Sequence, residues 1–193
     1  IKSGTFNKRE YIYNNYHKFK SFSLNSNLNH FETDGYRDEN ESQQNNFTSQ
    51  LIIPSNTGDH FLSLNVNEQI MSTPSDRGQD QLYTDRRGSD TPNDYISSEG
   101  TSILYTKKYE INSDSKLILS SSVRNKDSYS DLQTSASFPS YNETFTRNYQ
   151  FTPRINQNLN LFNKTTNITY GFDLLYADYE SKRKKNNTAI AKH

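Results

Sequence analysis

The stretch Asn167–Glu180, NITYGFDLLYADYE, decides the reading of the fold. Ile168, Tyr170, Phe172, Leu174 and Tyr176 recur at a period of two, and Thr169, Gly171, Asp173 and Ala177 fill the alternate positions, with Leu175 the exception. Successive side chains of a strand point to opposite faces, so this alternation signals a β-strand. One row is apolar and bounded by aromatics, and the other is small or polar. A transmembrane β-barrel needs such strands, with an apolar outer band, aromatic girdles and a wet inner face. A half-buried strand of a soluble sheet alternates too, so the choice depends on whether the pattern recurs.

It recurs along most of the chain. Thr5–His17 is Tyr-rich and strand-prone, with Tyr11 and Tyr13 on one face. After a break at Lys18-Phe19-Lys20, the residues Phe22, Leu24, Leu28 and His30 share a face, while Ser23, Asn25, Asn27 and Asn29 share the other. Phe47, Ser49, Leu51 and Ile53 continue the first row. Leu62, Leu64 and Val66 then oppose Phe61, Ser63, Asn65 and Asn67. Further strands are expected at about 100–111, 116–128 and 144–157. The basic tail SKRKKNNTAIAKH (181–193) reads as unpatterned.

Connections alternate in length, long near 33–43, 72–94 and 130–142, and short near 18–20, 54–59, 112–115 and 158–166. The stretch from Met71 to about Asp94 has no periodicity. A loop of that length is uncommon in a compact soluble domain but usual on the outward side of an outer-membrane barrel. The expectation is an all-β, antiparallel up-and-down wall of roughly eight strands, with the long loops on one side.

Composition fits that architecture. Only 30% of the 193 residues are hydrophobic, yet 13% are aromatic, with 14 Tyr and 11 Phe, and mean hydropathy is −1.05. So polar a chain reads as disordered unless aromatics argue otherwise. A large barrel resolves the conflict because it needs no solid core. The formal charge of zero gives no basic footprint for nucleic acid. The absence of cysteine removes disulfides, thiol catalysis and thiolate metal sites. The sequence starts at Ile1 without an initiator methionine or leader peptide, so the expectation is an internal piece of a longer chain.

Three short motifs carry a resemblance: DGYRDEN (Asp34–Asn40), TPRI (Thr152–Ile155) and YGFDLLYADYES (Tyr170–Ser181). In their order and spacing they resemble the barrel of a TonB-dependent outer-membrane receptor. The resemblance implies that 1–193 is part of a 22-stranded barrel domain, with the plug domain and remaining strands absent. It implies a protein of the outer membrane of a Gram-negative bacterium that takes up a ferric siderophore, vitamin B12 or a similar scarce nutrient by energised transport. Its implied partners are outer-membrane lipid and lipopolysaccharide, the small-molecule nutrient, and the TonB complex through the missing plug. The alternative is a complete small eight-stranded barrel acting as an adhesin or structural anchor. A soluble all-β binding module would have a poor core in these polar rows.

No enzymatic constellation stands out, and no cofactor is expected. His17, His30, His60 and His193 lie far apart without metal-ligand spacing. The loop acids Asp76, Asp80, Asp85, Asp90 and Asp94 lack the spacing of a dedicated calcium loop. With Arg77, Arg86 and Arg87 beside them they read instead as a salt-bridged loop. The Asn-x-Ser/Thr triplets at Asn46, Asn142, Asn163, Asn167 and Asn186 follow from an Asn-rich composition. Candidate ligand contacts are the loop aromatics and arginines Tyr36, Arg37, Tyr83, Arg86, Arg87 and Tyr141, since the guanidinium fork suits carboxylates.

Overall fold

The computed structural model describes residues 1–193 except 75, 92, 133–139, 162–163, 186–187 and 193, together with the side chains of 161, 184, 185 and 188–192. Parts of the expected 130–142 loop, His193 and the Asn163 and Asn186 triplets therefore lie outside the described residues. The chain forms one antiparallel sheet in which sequence neighbours pair in up-and-down order. Its strands are β1 (Lys2–Ser3), β2 (Arg9–Lys18), β3 (Ser23–Thr33), β4 (Ser42–Ile53), β5 (His60–Ser72) and β6 (Tyr95–Asn112). They continue as β7 (Ser115–Leu132), β8 (Ser140–Leu161), β9 (Lys164–Gly171), β10 (Leu174–Lys185) and β11 (Thr188–Lys192). Both β9 and β10 pair with β8, so they are two halves of one long strand. Eight long strands result, β2 to β8 and the β9–β10 composite, with short strands at either edge.

The sheet is a single layer. Among the described residues each strand packs only against its hydrogen-bonded neighbours, and no hydrophobic side chain is buried. Cross-strand partners share a face, so the register divides the side chains into two sets. Leu24, Leu51, Leu62, Tyr105, Ser121, Phe151 and Leu174 form one continuous row, apolar but for Ser121. Leu64, Val66, Ile168 and Tyr170 lie on the same face. Asn25, Asn27, Ser63 and Asn65 lie on the other, and Asp173 reaches that side to accept a hydrogen bond from Thr152 Oγ1 at 2.7 Å. The two faces are called apolar and polar below.

Short turns at one end step progressively along the strands. The row that closes the β2–β3 turn, Lys18–Ser23, runs across through Ile52 to Thr152. The next turn opens one residue further on, at Ile53. The β6–β7 turn opens five residues further, at the level of Gln157, and the β8–β9 turn nine residues further, at Leu161. Such stagger is what tilted strands of a barrel wall require. The apolar stretch moves with it, from Leu62–Val66 in β5 to Tyr149–Ile155 in β8. The 18-residue β6 and β7 and the 22-residue β8 exceed the roughly 9–11 residues that span a bilayer, so their ends project beyond the apolar stretch.

Several sequence expectations are corrected. Thr5–Lys8 is a turn, with Phe6 and Asn7 at φ 59° and 53°, because Gly4, Asn7 and Lys8 close a hairpin between β1 and β2 through Gly4 N–H to Lys8 O at 3.0 Å. The expected turn over 158–166 is mostly ladder, since Asn158 pairs with Asn167 and the Asn167 amide donates to Asn156 Oδ1 and Asn158 Oδ1 at 2.6 and 2.7 Å. The tail is stranded: β10 runs to Lys185 and β11 pairs back on it. The opening stretch is also interrupted, at Phe172-Asp173. Pro153 faces the gap; it offers only its carbonyl, which Phe172 N–H reaches at 3.3 Å, and proline has no N–H to return.

Candidate functional site

The end of the sheet opposite the short turns carries the long connections, and two of them meet there beside the β1–β2 turn. In the 34–41 connection, Gly35 turns the chain at φ +74°, where a β-carbon would lie 2.3 Å from the Asn40 carbonyl oxygen. Asp34 N–H donates to Phe6 O at 3.0 Å, and the Asn7 amide donates to Asp34 Oδ2 at 2.5 Å, so this loop leans on the β1–β2 turn. Glu41 O accepts from Ser72 N–H at 2.9 Å, which ties its other end to β5.

The 73–94 connection is closed at its base by Thr73 N–H donating to Asp94 O at 2.9 Å. It contains a helix the sequence did not announce, α1 (Gln79–Thr84), started by Gly78 N–H donating to the Gln81 side chain at 2.9 Å. Of the charges expected to bridge, Arg77, Asp85 and Asp90 form ion pairs among the described residues. Arg77, whose side chain is only 5% exposed, reaches Asp85 Oδ2 and Asp90 Oδ1 at 2.9 Å each. Its Nε donates to Gly88 O at 2.7 Å. The same carbonyl accepts from Arg37 Nη2 at 2.9 Å, and Asp38 N–H donates to Arg87 O at 2.8 Å. Gly88 is thus the joint between the two loops. A β-carbon there would sit 1.8 Å from Arg77 Nη2, so any side chain must displace the guanidinium.

Tyr36 sits at the contact. The guanidinium carbons of Arg86 and Arg87 lie 5.9 and 5.8 Å from its ring centroid, and Phe6 meets it edge-on at 5.6 Å. Among the described residues neither Arg86 nor Arg87 forms an ion pair with a carboxylate. Two cations on one aromatic ring, with no counter-charge, form a surface that favours anions.

The structure therefore brings together Tyr36, Arg37, Arg86 and Arg87. Tyr83, 83% exposed on α1, stands apart in solvent. Tyr141 is elsewhere, on β8, where its hydroxyl donates to Glu143 Oε1 at 2.5 Å, a bond that pushes its pKa up to about 12. Phe6 was not anticipated because Thr5–His17 reads as one strand; the turn residues Gly4 and Asn7 were the available signal. Among the described residues no group of three or more His, Asp or Glu is arranged to hold a metal ion.

No protein-family model matches the sequence, and no curated protein matches it. Solved structures do. The ferric citrate transporter FecA in its unliganded form superposes with a TM-score of 0.84 at 10% identity, over 97% of this chain and 30% of that one. The ferric-catecholate import receptor Fiu from E. coli K12, in an open form, gives 0.71 at 8% identity over 95% of this chain and 33% of that one. At such low identity the likeness establishes a common fold, and the chain spans about a third of the length of either structure.

Proposed function

We propose that residues 1–193 form part of the barrel wall of a TonB-dependent receptor in the outer membrane of a Gram-negative bacterium. In this reading the apolar face meets lipid, the polar face lines the lumen, and the long connections face outward among lipopolysaccharide. The plug, which would contact TonB, and the remaining strands lie outside these residues. The role is energised uptake of a scarce nutrient carried as a small molecule, such as a ferric siderophore or vitamin B12. It is not enzymatic. Tyr36, Arg37, Tyr83, Arg86, Arg87 and Tyr141 remain the candidate ligand contacts, with the Tyr36–Arg86–Arg87 cluster the foremost because its cations lack carboxylate partners.

The observation that carries the reading is a single-layer sheet without a hydrophobic core among the described residues, apolar on one face and amide-rich on the other, with staggered turns. In water such a sheet leaves its leucines and tyrosines exposed; in a bilayer the same face is solvated by lipid. A complete eight-stranded barrel is not favoured, because among the described residues the sheet path ends in β1 and β11 without their pairing to each other.

Cysteine labelling of the full-length protein in outer-membrane vesicles tests this. Leu64→Cys should react with a lipid-phase reagent and resist a membrane-impermeant maleimide, and Asn65→Cys should do the reverse. The same pattern at both sites, or the opposite one, rules out a membrane wall with this facing. Loss of uptake of radioactive iron chelates on deletion of the gene tests the transport role.

A further inference from the structure

The chain has no net charge, yet the sheet register distributes its charges unevenly. The polar face carries three described acids, and each is already paired: Glu10 with Lys2 at 3.1 Å, Glu110 with Lys116 at 3.2 Å, and Asp173 with Arg154 at 3.7 Å. Five further cations on that face, Lys18, Lys108, Arg124, Lys126 and Arg183, have no carboxylate partner among the described residues. All five are exposed. The opposite face takes the surplus acids, with Glu68, Glu99 and Asp127 directly side by side across three strands. Adjacent like charges oppose strand pairing, so nothing in sheet stability calls for that grouping.

Arg124 and Lys126 form the centre of the positive face. They are two apart on β7 and therefore point the same way. Their flanking partners are Ser102 and Asn148 for Arg124, and Gly100 and Thr146 for Lys126, all uncharged. Across β2 to β5 the row through Arg124 holds only amides and a hydroxyl, from Asn14 to Asn65. Arg183 lies at the level of Asn142, four residues nearer the long loops than Thr146, which is about 13 Å along the strand. Lys108, level with Arg154, lies six residues below Asn148 on the other side, about 20 Å away. The cations thus run from the loop end toward the short turns.

We propose that the polar face is an electropositive track that recruits a small polyanion, with Arg124 and Lys126 as its central pair. The inference rests on the receptor reading above and narrows its ligand to an anionic class, such as a polycarboxylate or phosphate-bearing molecule. Unpaired cations along a wall of neutral amides raise the local concentration of anions without trapping them, because no site is neutralised by a fixed partner.

Residues 1–193 contain no cysteine, so in a full-length protein with every cysteine outside these residues replaced by serine, a single thiol at Asn148→Cys, beside Arg124, can report the local field. The measurement is the rate of modification by an anionic sulfonatoethyl reagent relative to a cationic trimethylammonioethyl reagent, both methanethiosulfonates. The expected anion-to-cation ratio is about tenfold or more above that of a free thiol at low salt, and it should fall as salt rises. The pair R124Q/K126Q should abolish the excess and R124K/K126R should keep it. Inorganic pyrophosphate should slow the anionic reagent in wild type but not in R124Q/K126Q. A ratio equal to that of free thiol overturns the proposal. So does a thiol unreactive to both reagents, which would mean a protein segment occupies the face, and so does an absence of pyrophosphate protection. The facing experiment at Leu64 and Asn65 separates the outcomes: if it fails, the receptor reading fails, and if it holds while the ratio does not, only the anion track fails.

Discussion

Replacing Leu174 with arginine separates a membrane wall from a soluble sheet in one measurement. Leu174 pairs with Phe151 on β8, and its side chain stands on the apolar face of a single-layer sheet, 57% exposed. An arginine on that face displaces lipid rather than a packed core. The whole penalty is then transfer of a guanidinium to hydrocarbon, about 2–4 kcal/mol near the bilayer midplane, or roughly 30- to 700-fold in the folding equilibrium. Leu175, 68% exposed, pairs with Gln150 on the polar face and provides the control: Leu175→Arg adds the same charge one residue away and should cost less than about 0.5 kcal/mol. Asp173→Asn should also be close to neutral, because the acceptor for Thr152 survives and the exposed ion pair with Arg154 is worth at most about 1 kcal/mol. The assay is urea unfolding of the full-length protein in lipid vesicles, followed by the gel mobility of the folded barrel. Equal losses at 174 and 175 would refute the facing argument, because a one-residue slip exchanges the two faces completely.

Three further outcomes are expected. Gly58→Ala should destabilise the β4–β5 turn by about 1–3 kcal/mol, since φ is +113° and a β-carbon would lie 2.1 Å from the Lys108 carbonyl oxygen; urea unfolding reads this directly. The Tyr141 hydroxyl, held by Glu143 with its pKa pushed up to about 12, contributes stability that is complete below pH 10 and is lost as pH rises from there toward 12. Absorbance titration of Glu143→Gln should show that tyrosine ionising at lower pH than in wild type. Arg77→Ala should remove the ion pairs to Asp85 and Asp90 and one of the two side-chain hydrogen bonds to the Gly88 carbonyl, so trypsin should cut at Arg86 and Arg87 faster while the barrel's unfolding midpoint stays unchanged.

Much of the wall was legible because a two-residue period is hard to imitate. Leu62, Leu64 and Val66 against Ser63 and Asn65 admit one facing only, and β5 adopts it. Turn chemistry was legible where a breaker sits in the turn, as at Gly58. It failed where asparagine dominates. Asn158 and Asn160 look like turn residues, yet within a paired ladder they accept hydrogen bonds across the strands, Asn158 from the Asn167 amide and Asn160 from the Thr165 hydroxyl. The charged tail failed for a related reason: β10 borrows its register from β8, and that pairing outweighs the weak propensity of Lys and Arg. In the candidate site, residue types were readable but not their company. Nothing local in the sequence says that Arg37 and Arg77 share the Gly88 carbonyl across 51 and 11 residues.

Two of the three motifs behind the family resemblance turn out to be one structural feature. Thr-Pro-Arg at 152–154 and Gly-Phe-Asp at 171–173 are far apart in sequence but lie face to face. Arg154 pairs with Gly171, Pro153 O accepts from Phe172 N–H, and Thr152 donates to Asp173. Each residue answers a constraint set by its opposite. Proline cannot donate into the ladder, so the facing strand must let go for two residues. Glycine is needed because a β-carbon at 171 would lie 2.2 Å from the Pro153 carbonyl oxygen. Aspartate then satisfies the Thr152 hydroxyl, which is nearly buried at 7% exposure and would be costly to leave unpaired. The motifs therefore report how two long strands of a barrel wall accommodate a break, and a chain can keep them whatever it carries. The DGYRDEN loop differs: its Tyr36 and Arg37 engage Arg86, Arg87 and Gly88 rather than a strand partner. Ligand identity should accordingly track changes in the 34–41 and 73–94 connections and leave the 152–154 and 171–173 joint unaltered.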